Sequence, residues 1–438
     1  MKYPFKNKYL CLLVSLMDLI GRRFFHRNKT PCPDFKTILV IRLDQIGDIV
    51  LSQPFLTALK KKRSDAKIIF LTTPAGHEIL GQLPDIDEFV IFQPAWFALS
   101  LSSRDPALSS RDPKGRGISP IFRQIVSFFS LLRCLKRISA DAIIDLRGDF
   151  RHILAARIAK PKSWLLSYGN TGGGFLLNCE ASHSEPEARH SEPEACHSEP
   201  EGRRISSSSL HAAQKNLYLL NYLFRHPEPG VSQAKDLPIL SPKISSLPLS
   251  FSLRKKEGRW IALHPGAATP SKLWPVSHWK KLIEKISVQE QIHFFFIGDQ
   301  QTQGIAQKIF ILSSEFAKNR MTDLCGKIPL SSLGTFLKMC DLLISVDSAP
   351  VHIAAAHGVK TIVLFSGTTE PEVWKPLNPN AEILTHRVTC SPCHEKTCPK
   401  ERHFCMEELK PQWVYSEVQA LCEGLGCISS FLSGIFWF

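Results

Sequence analysis

Short, nearly unbroken apolar runs recur along the chain, and the segments between them carry apolar residues at helical spacing. In the first half, apolar runs occupy residues 37–42, 66–72 and 140–146, and the helical spacing is clearest over residues 49–62. In the second half, the runs occupy residues 260–264, 293–298, 342–346 and 361–365. Continuous apolar strands are typical of parallel sheets covered by helices on both faces. The pattern therefore predicts the α/β class, with one doubly wound parallel sheet in each half.

Two repetitive segments interrupt this alternation. A seven-residue unit occurs twice over residues 101–114, and another seven-residue unit occurs three times over residues 183–203. Each unit contains proline and has no apolar periodicity, which excludes a regular helix or a strand ladder. We therefore predict solvated insertions at about 101–117 and 181–209, and we hypothesise that they are translated repetitive DNA accommodated in surface loops.

The length of 438 residues suits two domains. We place the first at 36–245 and the second at 257–422, with a proline-bearing linker over residues 237–256 and an apolar tail at 423–438. Residues 1–35 form a separate segment with an apolar run and basic flanks. Its run contains an aspartate, lacks a cleavage site and is shorter than the ~20 residues of a membrane span. An amphipathic helix on a membrane surface and a helix packed on the protein's own core both remain open.

The net charge of +14 favours an anionic partner, although a basic surface can also serve solubility alone. Nucleic acid is a poor candidate, because the chain has no recognition helix or aromatic-basic platform. Without a secretory signal, we expect a cytoplasmic protein with reduced thiols. Four cysteines share one loop-rich stretch: Cys390, Cys393, Cys398 and Cys405. A structural zinc ion, packed reduced thiols and a labile disulfide are the alternatives for them.

The loop after the first strand, Arg42-Leu-Asp-Gln-Ile-Gly-Asp48, is the first candidate site. Open α/β sheets bind ligands at the carboxyl ends of their strands, and this loop lies there. Asp48 can cap the next helix or act as a general base. The loop is neither a G-x-G-x-x-G fingerprint nor a P-loop, which argues against a dinucleotide oxidoreductase and an NTPase.

Three loops that follow strands of the second half are rich in polar groups. Thr269, Ser271 and Lys272 follow one strand and suit a diphosphate, helped by the N-terminus of the next helix. The alternative for Lys272 is a solvated loop position. The second loop follows another strand and carries three polar side chains, Asp347, Ser348 and His352. A third loop, Phe365-Ser-Gly-Thr-Thr-Glu-Pro371, closes the next strand with another turn of glycine and hydroxyl residues. Together the three loops predict a nucleotide-diphosphate site.

Taken in order, these loops resemble glycosyltransferase family 9, the bacterial heptosyltransferases, over roughly residues 36–420. The resemblance is carried by Arg42-Leu-Asp-Gln-Ile-Gly-Asp48, Asp145-Leu-Arg-Gly-Asp149, Tyr168-Gly-Asn-Thr-Gly-Gly-Gly174, Leu263-His-Pro-Gly266, Lys272-Leu-Trp-Pro275, Gly326-Lys327 and Val346-Asp-Ser-Ala-Pro-Val-His352. It implies a GT-B fold, in which two doubly wound Rossmann-like domains face each other across a cleft. It also implies inversion at the anomeric carbon, with no required covalent intermediate and no required cofactor.

The resemblance also implies roles for individual residues. Asp48 matches the base that deprotonates the acceptor hydroxyl, and Lys272 matches the lysine that neutralises the leaving diphosphate. The donor-binding positions are Thr269, Ser271, Asp299, Lys327, Asp347, Ser348 and His352. The acceptor-side positions are Arg42, Arg147 and Asp149. Asp299 stands where the family often has an acid that binds the nucleotide ribose within a different turn, and this departure puts the nucleotide in question.

These inferences predict transfer of heptose from ADP-heptose to the lipopolysaccharide inner core, at the inner face of the bacterial membrane. The phosphates and carboxylates of a lipid A-core acceptor, and the inner-leaflet surface, would match the +14 charge. A monomer is the default for this architecture. Two alternatives remain open: a family-9 transferase for another nucleotide sugar, and a catalytically silent binding relative.

Overall fold

The computed structural model describes residues 34–95, 120–168, 176–181, 211–224, 242–249, 258–288 and 291–423. The chain divides into two compact units, Met1–Leu240 and Ser241–Phe438. The repeats, almost all of the N-terminal segment, the apolar tail, residues 169–174 and most of the linker lie outside the described residues. The predicted domain boundaries therefore stay predictions.

The first unit is built on a six-stranded parallel sheet. Its strands are β1 (Thr37–Arg42), β2 (Lys67–Thr72), β3 (Glu88–Ile91), β4 (Ala142–Asp145), β5 (Trp164–Tyr168) and β6 (Cys179–Ala181). They lie in the order β3-β2-β1-β4-β5-β6, and every neighbouring pair is parallel. The chain thus builds outward from β1 on one side and then returns to build outward from β4 on the other. The point where the order reverses lies between β1 and β4.

The helices of this unit are α1 (Ile46–Val50), α2 (Gln53–Lys62), α3 (Pro74–Leu80), α4 (Pro120–Arg137), α5 (Phe150–Ala159) and α6 (Ala212–Phe224). The sequence pattern predicts one helix over 49–62, and the structure has two in its place. Pro54 explains the break, because proline lacks the N–H that a continuous helix needs and suits the first turn of a new one.

The second unit repeats the plan with a second six-stranded parallel sheet. Its strands are β7 (Arg259–His264), β8 (Ile292–Phe296), β9 (Met321–Asp323), β10 (Leu342–Val346), β11 (Thr361–Phe365) and β12 (Ala381–Thr385). The order is β12-β11-β10-β7-β8-β9, again with all neighbouring pairs parallel. Here the order reverses between β7 and β10.

The helices of the second unit are α7 (Val276–Ser287), α8 (Gln300–Leu312), α9 (Glu315–Lys318), α10 (Leu333–Met339), α11 (Ala349–Ala356), α12 (Pro371–Trp374), α13 (Phe404–Glu407) and α14 (Pro411–Glu423). Short 3-10 turns cover Pro270–Lys272 and Leu330–Ser332. A core cluster of this unit includes Trp279 and Ile283 of α7 together with Phe294 and Phe296 of β8. Such burial of apolar side chains is the main favourable term in folding.

The predicted fold class is confirmed: each half of the chain forms a doubly wound parallel sheet. All seven predicted strands are present, with ends that differ by two residues at most. The prediction did not include β3, β5, β6, β9 and β12. None of the helices in the described ranges combines the length and the apolar character that a membrane crossing requires.

Candidate functional site

In the first unit, the candidate residues meet at the carboxyl ends of the neighbouring strands β1 and β4. Parallel strands place their carboxyl ends on one edge of the sheet, and ligands bind at such a reversal point. The loop after β1 supplies Asp44 and Asp48, and the loop after β4 supplies Arg147 and Asp149. Arg42, the last residue of β1, lies between the two loops and links them.

Arg42 is buried; its Nη1 and Nη2 donate hydrogen bonds, and its Nε lies within ion-pair distance of a carboxylate without a hydrogen bond. Its Nη2 donates to Asp48 Oδ1 at 3.0 Å, and its Nε lies 2.9 Å from Asp44 Oδ2. Its Nη1 donates to the carbonyl oxygen of Leu146 at 2.6 Å and to Asn216 Oδ1 at 3.4 Å. Burial alone would lower the pKa of Arg42, but the carboxylates around it raise that pKa. The side chain is therefore a fixed cation held by four groups.

Asp48 is a candidate base by its environment as well as by its position. Its side chain is 21% exposed, so it retains an opening to solvent. Burial is the largest influence and raises the pKa of Asp48 to about 6, while the charge of Arg42 opposes the rise. The side chain of Gln45, at the N-cap of α1, makes no cap hydrogen bond, and Asp48 lies inside the first turn. A carboxylate with a pKa near neutrality is suited to accept a proton from a substrate.

Asp149 serves several local partners. It caps α5 by accepting from the backbone N–H of Arg151, and Arg151 holds both of its oxygens at 2.9 and 2.6 Å. Arg147 Nε lies 3.5 Å from the same carboxylate, and Arg147 also pairs with Asp44. Burial would raise the pKa of Asp149, but these arginines and the nearby His152 lower it well below its usual range. Asp149 is thus an anion that organises the loop after β4.

A second ion pair lies beneath this network. His152 Nδ1 is 3.0 Å from Asp145 Oδ1, and both side chains are buried. Asp145 Oδ2 also accepts from the backbone N–H of Gly148 and from the hydroxyl of Ser167. Burial would lower the pKa of His152, but the hydrogen bond and charge of Asp145 raise it. The pair fixes the turn after β4, where Gly148 has a φ of +75° that favours glycine.

In the second unit, the candidate residues surround the reversal between β7 and β10. Lys272, in the 3-10 turn after β7, has its Nζ 2.5 Å from Asp347 Oδ2 at the end of β10. The lysine side chain is 24% exposed and the aspartate 6%. Thr369, in the loop after β11, donates to the same aspartate oxygen at 3.4 Å. The structure therefore brings together a partly exposed cation and a buried carboxylate at one strand edge.

His264 and Ser348 form a neighbouring polar pair. Ser348 Oγ lies 3.0 Å from His264 Nδ1, and both follow or end the central strands. Burial lowers the pKa of His264 to about 4, while the charge of Asp299 opposes that shift. His264 is accordingly neutral at physiological pH and presents a hydrogen-bonding ring rather than a charge. His352 is buried in the second turn of α11, behind Ser348.

Asp299 acts as the N-cap of α8. Its Oδ1 accepts from both the backbone N–H and the hydroxyl of Thr302, each at 2.8 Å. Gly266 packs against Thr302, and a Cβ at this glycine would clash with the threonine side chain. The loop after β7 thereby approaches the start of α8 closely. Lys327 lies on the loop after β9, where its Nζ donates to the carbonyl oxygen of Asp323 at 2.7 Å.

Ser271 ties the loop after β7 to the cysteine-bearing loop. Its hydroxyl donates to the carbonyl oxygen of Glu395 at 2.6 Å, and its backbone N–H donates to the carbonyl oxygen of Lys396. It also donates to Thr269 Oγ1 at 3.3 Å. A pocket of about 450 Å³ lies beside this contact and is lined in part by the four C-terminal cysteines.

The predicted zinc site at those cysteines finds no support in the structure. Across the described ranges, no group of three or more His, Cys, Asp and Glu side chains is placed to hold a metal ion. Cys405 is buried in the core of the second unit, whereas Cys390 is exposed, and all four are free thiols. Burial raises the pKa of Cys405, with a smaller contribution from the neighbouring thiols.

The structure thus forms two clusters from the predicted residues. Arg42, Asp48, Arg147 and Asp149 belong to one cluster, and Lys272, Asp347, Ser348 and Thr269 lie on adjoining loops in the other. Thr369 lies in the third predicted loop, whereas no role was predicted from the sequence for Asp44, His152, Asn216 or His264. Asp44 and His264 lie inside the quoted motifs and could have been found there, whereas Asn216 lies on α6, 174 residues from Arg42.

Known proteins resemble this chain in sequence and in fold. Residues 202–403 match the model of "Glycosyltransferase family 9 (heptosyltransferase)". A lipooligosaccharide heptosyltransferase 2 of Campylobacter jejuni is 34% identical over 38% of this chain, and the match spans about half (52%) of that relative's length. The lipopolysaccharide heptosyltransferase 3 of Escherichia coli is 24% identical over 76% of this chain and 84% of its own.

The solved structures show the same fold. The E. coli ADP-heptose lps heptosyltransferase II has a TM-score of 0.62 at 18% identity, covering 89% of this chain and 99% of its own. An E. coli heptosyltransferase solved with ADP has a TM-score of 0.57 at 13% identity, covering 88% and 99%. The GT-B fold class predicted from the sequence is therefore confirmed.

Proposed function

We propose that this chain, which matches the glycosyltransferase family 9 model over residues 202–403, transfers heptose from ADP-heptose to the inner core of lipopolysaccharide. The observation that carries the proposal is Asp48, a carboxylate at the reversal point of the first sheet whose burial raises its pKa to about 6. Such a group is ionised at neutral pH yet basic enough to take a proton from a sugar hydroxyl. Its supporting network of Arg42, Asp44 and Arg147 holds it in place.

In the proposed chemistry, each of the two clusters has one role. Asp48 removes the proton of the acceptor hydroxyl as that oxygen forms a bond to the anomeric carbon. The bond between the anomeric carbon and the diphosphate oxygen breaks, and ADP leaves with the electron pair. Lys272 then offsets the negative charge that grows on the diphosphate. Attack and departure on opposite faces of the sugar invert the anomeric configuration, and no protein nucleophile is needed.

The donor groups divide into direct and supporting roles. Lys272 is partly exposed and paired with Asp347, so a diphosphate can share the lysine while Asp347 orients it. The neutral ring of His264 and the hydroxyl of Ser348 offer hydrogen bonds without adding charge. Thr269 and the exposed Lys327 complete the set that we assign to the donor. Arg147, whose side chain is 32% exposed, is the acceptor-side cation with most access to an anionic sugar.

An anionic acceptor gives the basic chain a physical purpose. Lipid A-core oligosaccharides carry phosphates and carboxylates, and a net charge of +14 favours encounter with such a surface. We therefore place the protein on the cytoplasmic side, peripheral at the inner membrane, as a monomer without a required cofactor.

A different nucleotide sugar is the second candidate. Asp299 commits one carboxylate oxygen to capping α8, which leaves the other for a ribose hydroxyl. The ribose contact that the family often makes through a different turn is thus open to variation here. A change of nucleotide would leave Asp48 and Lys272 in the same roles.

The test is acceptor-dependent release of nucleoside diphosphate from a panel of ADP-, UDP- and GDP-sugars, with deacylated inner-core oligosaccharide as acceptor. We expect release of ADP from ADP-heptose, lost in Asp48→Asn and retained in Asp65→Asn, an exposed aspartate of the same unit. Turnover only with another nucleotide would replace the donor assignment. No turnover with any donor would leave the silent binding relative as the better description.

A further inference from the structure

Helix α4 carries two apolar faces. Leu131 and Leu135 are fully buried and join the core beside β1, β2 and β4, followed by Ile138 just after the helix. At 100° per residue, these positions lie on one side of the helix. This inner face is sufficient to anchor α4 to its unit.

The outer face begins with a second apolar stripe. Phe122, Ile125, Val126 and Phe129 follow the i, i+3, i+4, i+7 spacing of a helical stripe, and their side chains are 56, 48, 48 and 53% exposed. The stripe points almost opposite to Leu131 and Leu135. Contiguous exposed apolar stripes mark interaction surfaces more often than isolated apolar residues do.

Basic side chains continue the same outer face. Arg133, Lys136 and Arg137 fall within about 60° of the apolar stripe when 100° is counted per residue. The helix contains no acidic residue. The carboxylate that lines the adjoining groove, Glu88, is paired with Lys67 at 2.5 Å. The outer face of α4 therefore has an apolar first half and a cationic second half.

This combination selects one kind of partner. Amphipathic helices with aromatic and aliphatic residues beside Lys and Arg bind at the interface of anionic membranes, because apolar groups enter the acyl boundary and cations meet the headgroups. We propose that the outer face of α4 docks the protein on an anionic lipid bilayer. The proposal rests on the proposed function, in which the acceptor is anchored in such a bilayer, and it identifies the surface that meets the lipid.

The test measures flotation of the full chain with vesicles of phosphatidylethanolamine and phosphatidylglycerol, and with vesicles of phosphatidylcholine alone. We expect binding to the anionic vesicles and at least tenfold weaker partitioning for the double variant Phe122→Ser, Phe129→Ser. The variant Arg133→Gln, Lys136→Gln should weaken binding roughly fivefold per charge removed and reduce its salt dependence. The matched control is Ile311→Ser, Phe316→Ser, which removes comparably exposed apolar side chains from the second unit.

Turnover separates this proposal from the proposed function. All variants should turn over the water-soluble deacylated acceptor like the parent chain, whereas the α4 variants should lose turnover on acceptor embedded in vesicles. Circular dichroism and thermal unfolding verify that each variant is folded.

Unchanged flotation of the α4 variants, or equal binding to neutral vesicles, would overturn the proposal. A change in oligomeric state without a change in flotation would also overturn it and would assign the face to a protein contact. Absence of turnover in the parent chain would count against the proposed function alone, because flotation still decides the docking surface.

Discussion

Replacing Arg42 by glutamine should move the acidic limb of the activity profile to higher pH. Arg42 Nη2 is 3.0 Å from Asp48 Oδ1, and burial already holds the pKa of Asp48 at about 6. The cation lowers that pKa by favouring the ionised carboxylate. Its removal therefore raises the pKa, and the base loses its proton only at a higher pH.

The short distance between Arg42 and Asp48 sets the size of the pKa shift expected for Asp48. An opposite charge this close typically lowers a carboxyl pKa by about 1–3 units, so the variant should have a pKa of about 7–9 for Asp48. With a shift of two units, the ionised fraction at pH 7 falls from roughly 90% to roughly 10%, about a tenfold loss of kcat/KM that is recovered near pH 9. In the parent chain, the same limb should be half-maximal near pH 6 and rise with pH, because Asp48 must be deprotonated to act.

The assay is kcat/KM for ADP release between pH 5 and 9.5. Arg42→Lys keeps the charge and should keep the limb near its original position. Asn216→Ala is the matched control, because it removes another partner of Arg42 but leaves the Arg42–Asp48 contact intact. Thermal unfolding verifies that the variants are folded, since Arg42 also holds the carbonyl oxygen of Leu146.

Two results would contradict the claim that Arg42 lowers the pKa of Asp48. If the limb of Arg42→Gln stays near pH 6 or moves to lower pH, the cation does not control the titration of Asp48. If the rate falls equally at every pH, Arg42 positions the loop without tuning the base.

Three further variants test the remaining groups. Lys272→Ala should lower kcat by about 10²–10³, because the cation acts on the leaving diphosphate, and a smaller loss in ADP-release assays would contradict that role. His152→Asn should cost about 3–5 kcal/mol of unfolding free energy in urea. That cost should be largest below pH 6.5 and shrink as pH rises through the raised pKa of His152, because only the protonated ring pairs with Asp145. Gly266→Ala should cost about 1–3 kcal/mol, since its Cβ would clash with Thr302, and an unchanged melting temperature would show that the loop yields freely.

The apolar pattern predicted the architecture because buried parallel strands leave a strong signal. The central strands β1, β7, β10 and β11 are almost entirely apolar and almost entirely buried, so their runs are visible in the sequence alone. The strands that escaped prediction include β3, a half-exposed edge strand of four residues, and β9, an edge strand of only three. Short edge strands need no continuous apolar run, since one side faces solvent.

The sequence predicted where the candidate site residues lie, but it did not predict their contacts or their pKa values. The sequence locates Asp48 and Lys272 at strand ends. It also names Arg42 and Asp347, but only the structure shows that Arg42 pairs with Asp48 and Asp347 with Lys272. A carboxylate's pKa depends on burial and on charges brought in from distant segments, which no local pattern contains. Arg147 illustrates this, because the loop after β4 brings its charge close enough to lower the pKa of Asp48.

Arg42 and Arg147 differ in burial and in partners, although the sequence predicts both as acceptor-side residues. Arg42 has its guanidinium engaged by Asp44, Asp48 and the carbonyl oxygen of Leu146, and its side chain is 7% exposed. Arg147 shares Asp44 but keeps 32% of its side chain accessible. A buried guanidinium that gave up these partners for a substrate would leave carboxylates uncompensated, at a cost of several kcal/mol. Arg42 therefore fits a positioning role behind Asp48, and the cation that meets an anionic acceptor is better sought at Arg147.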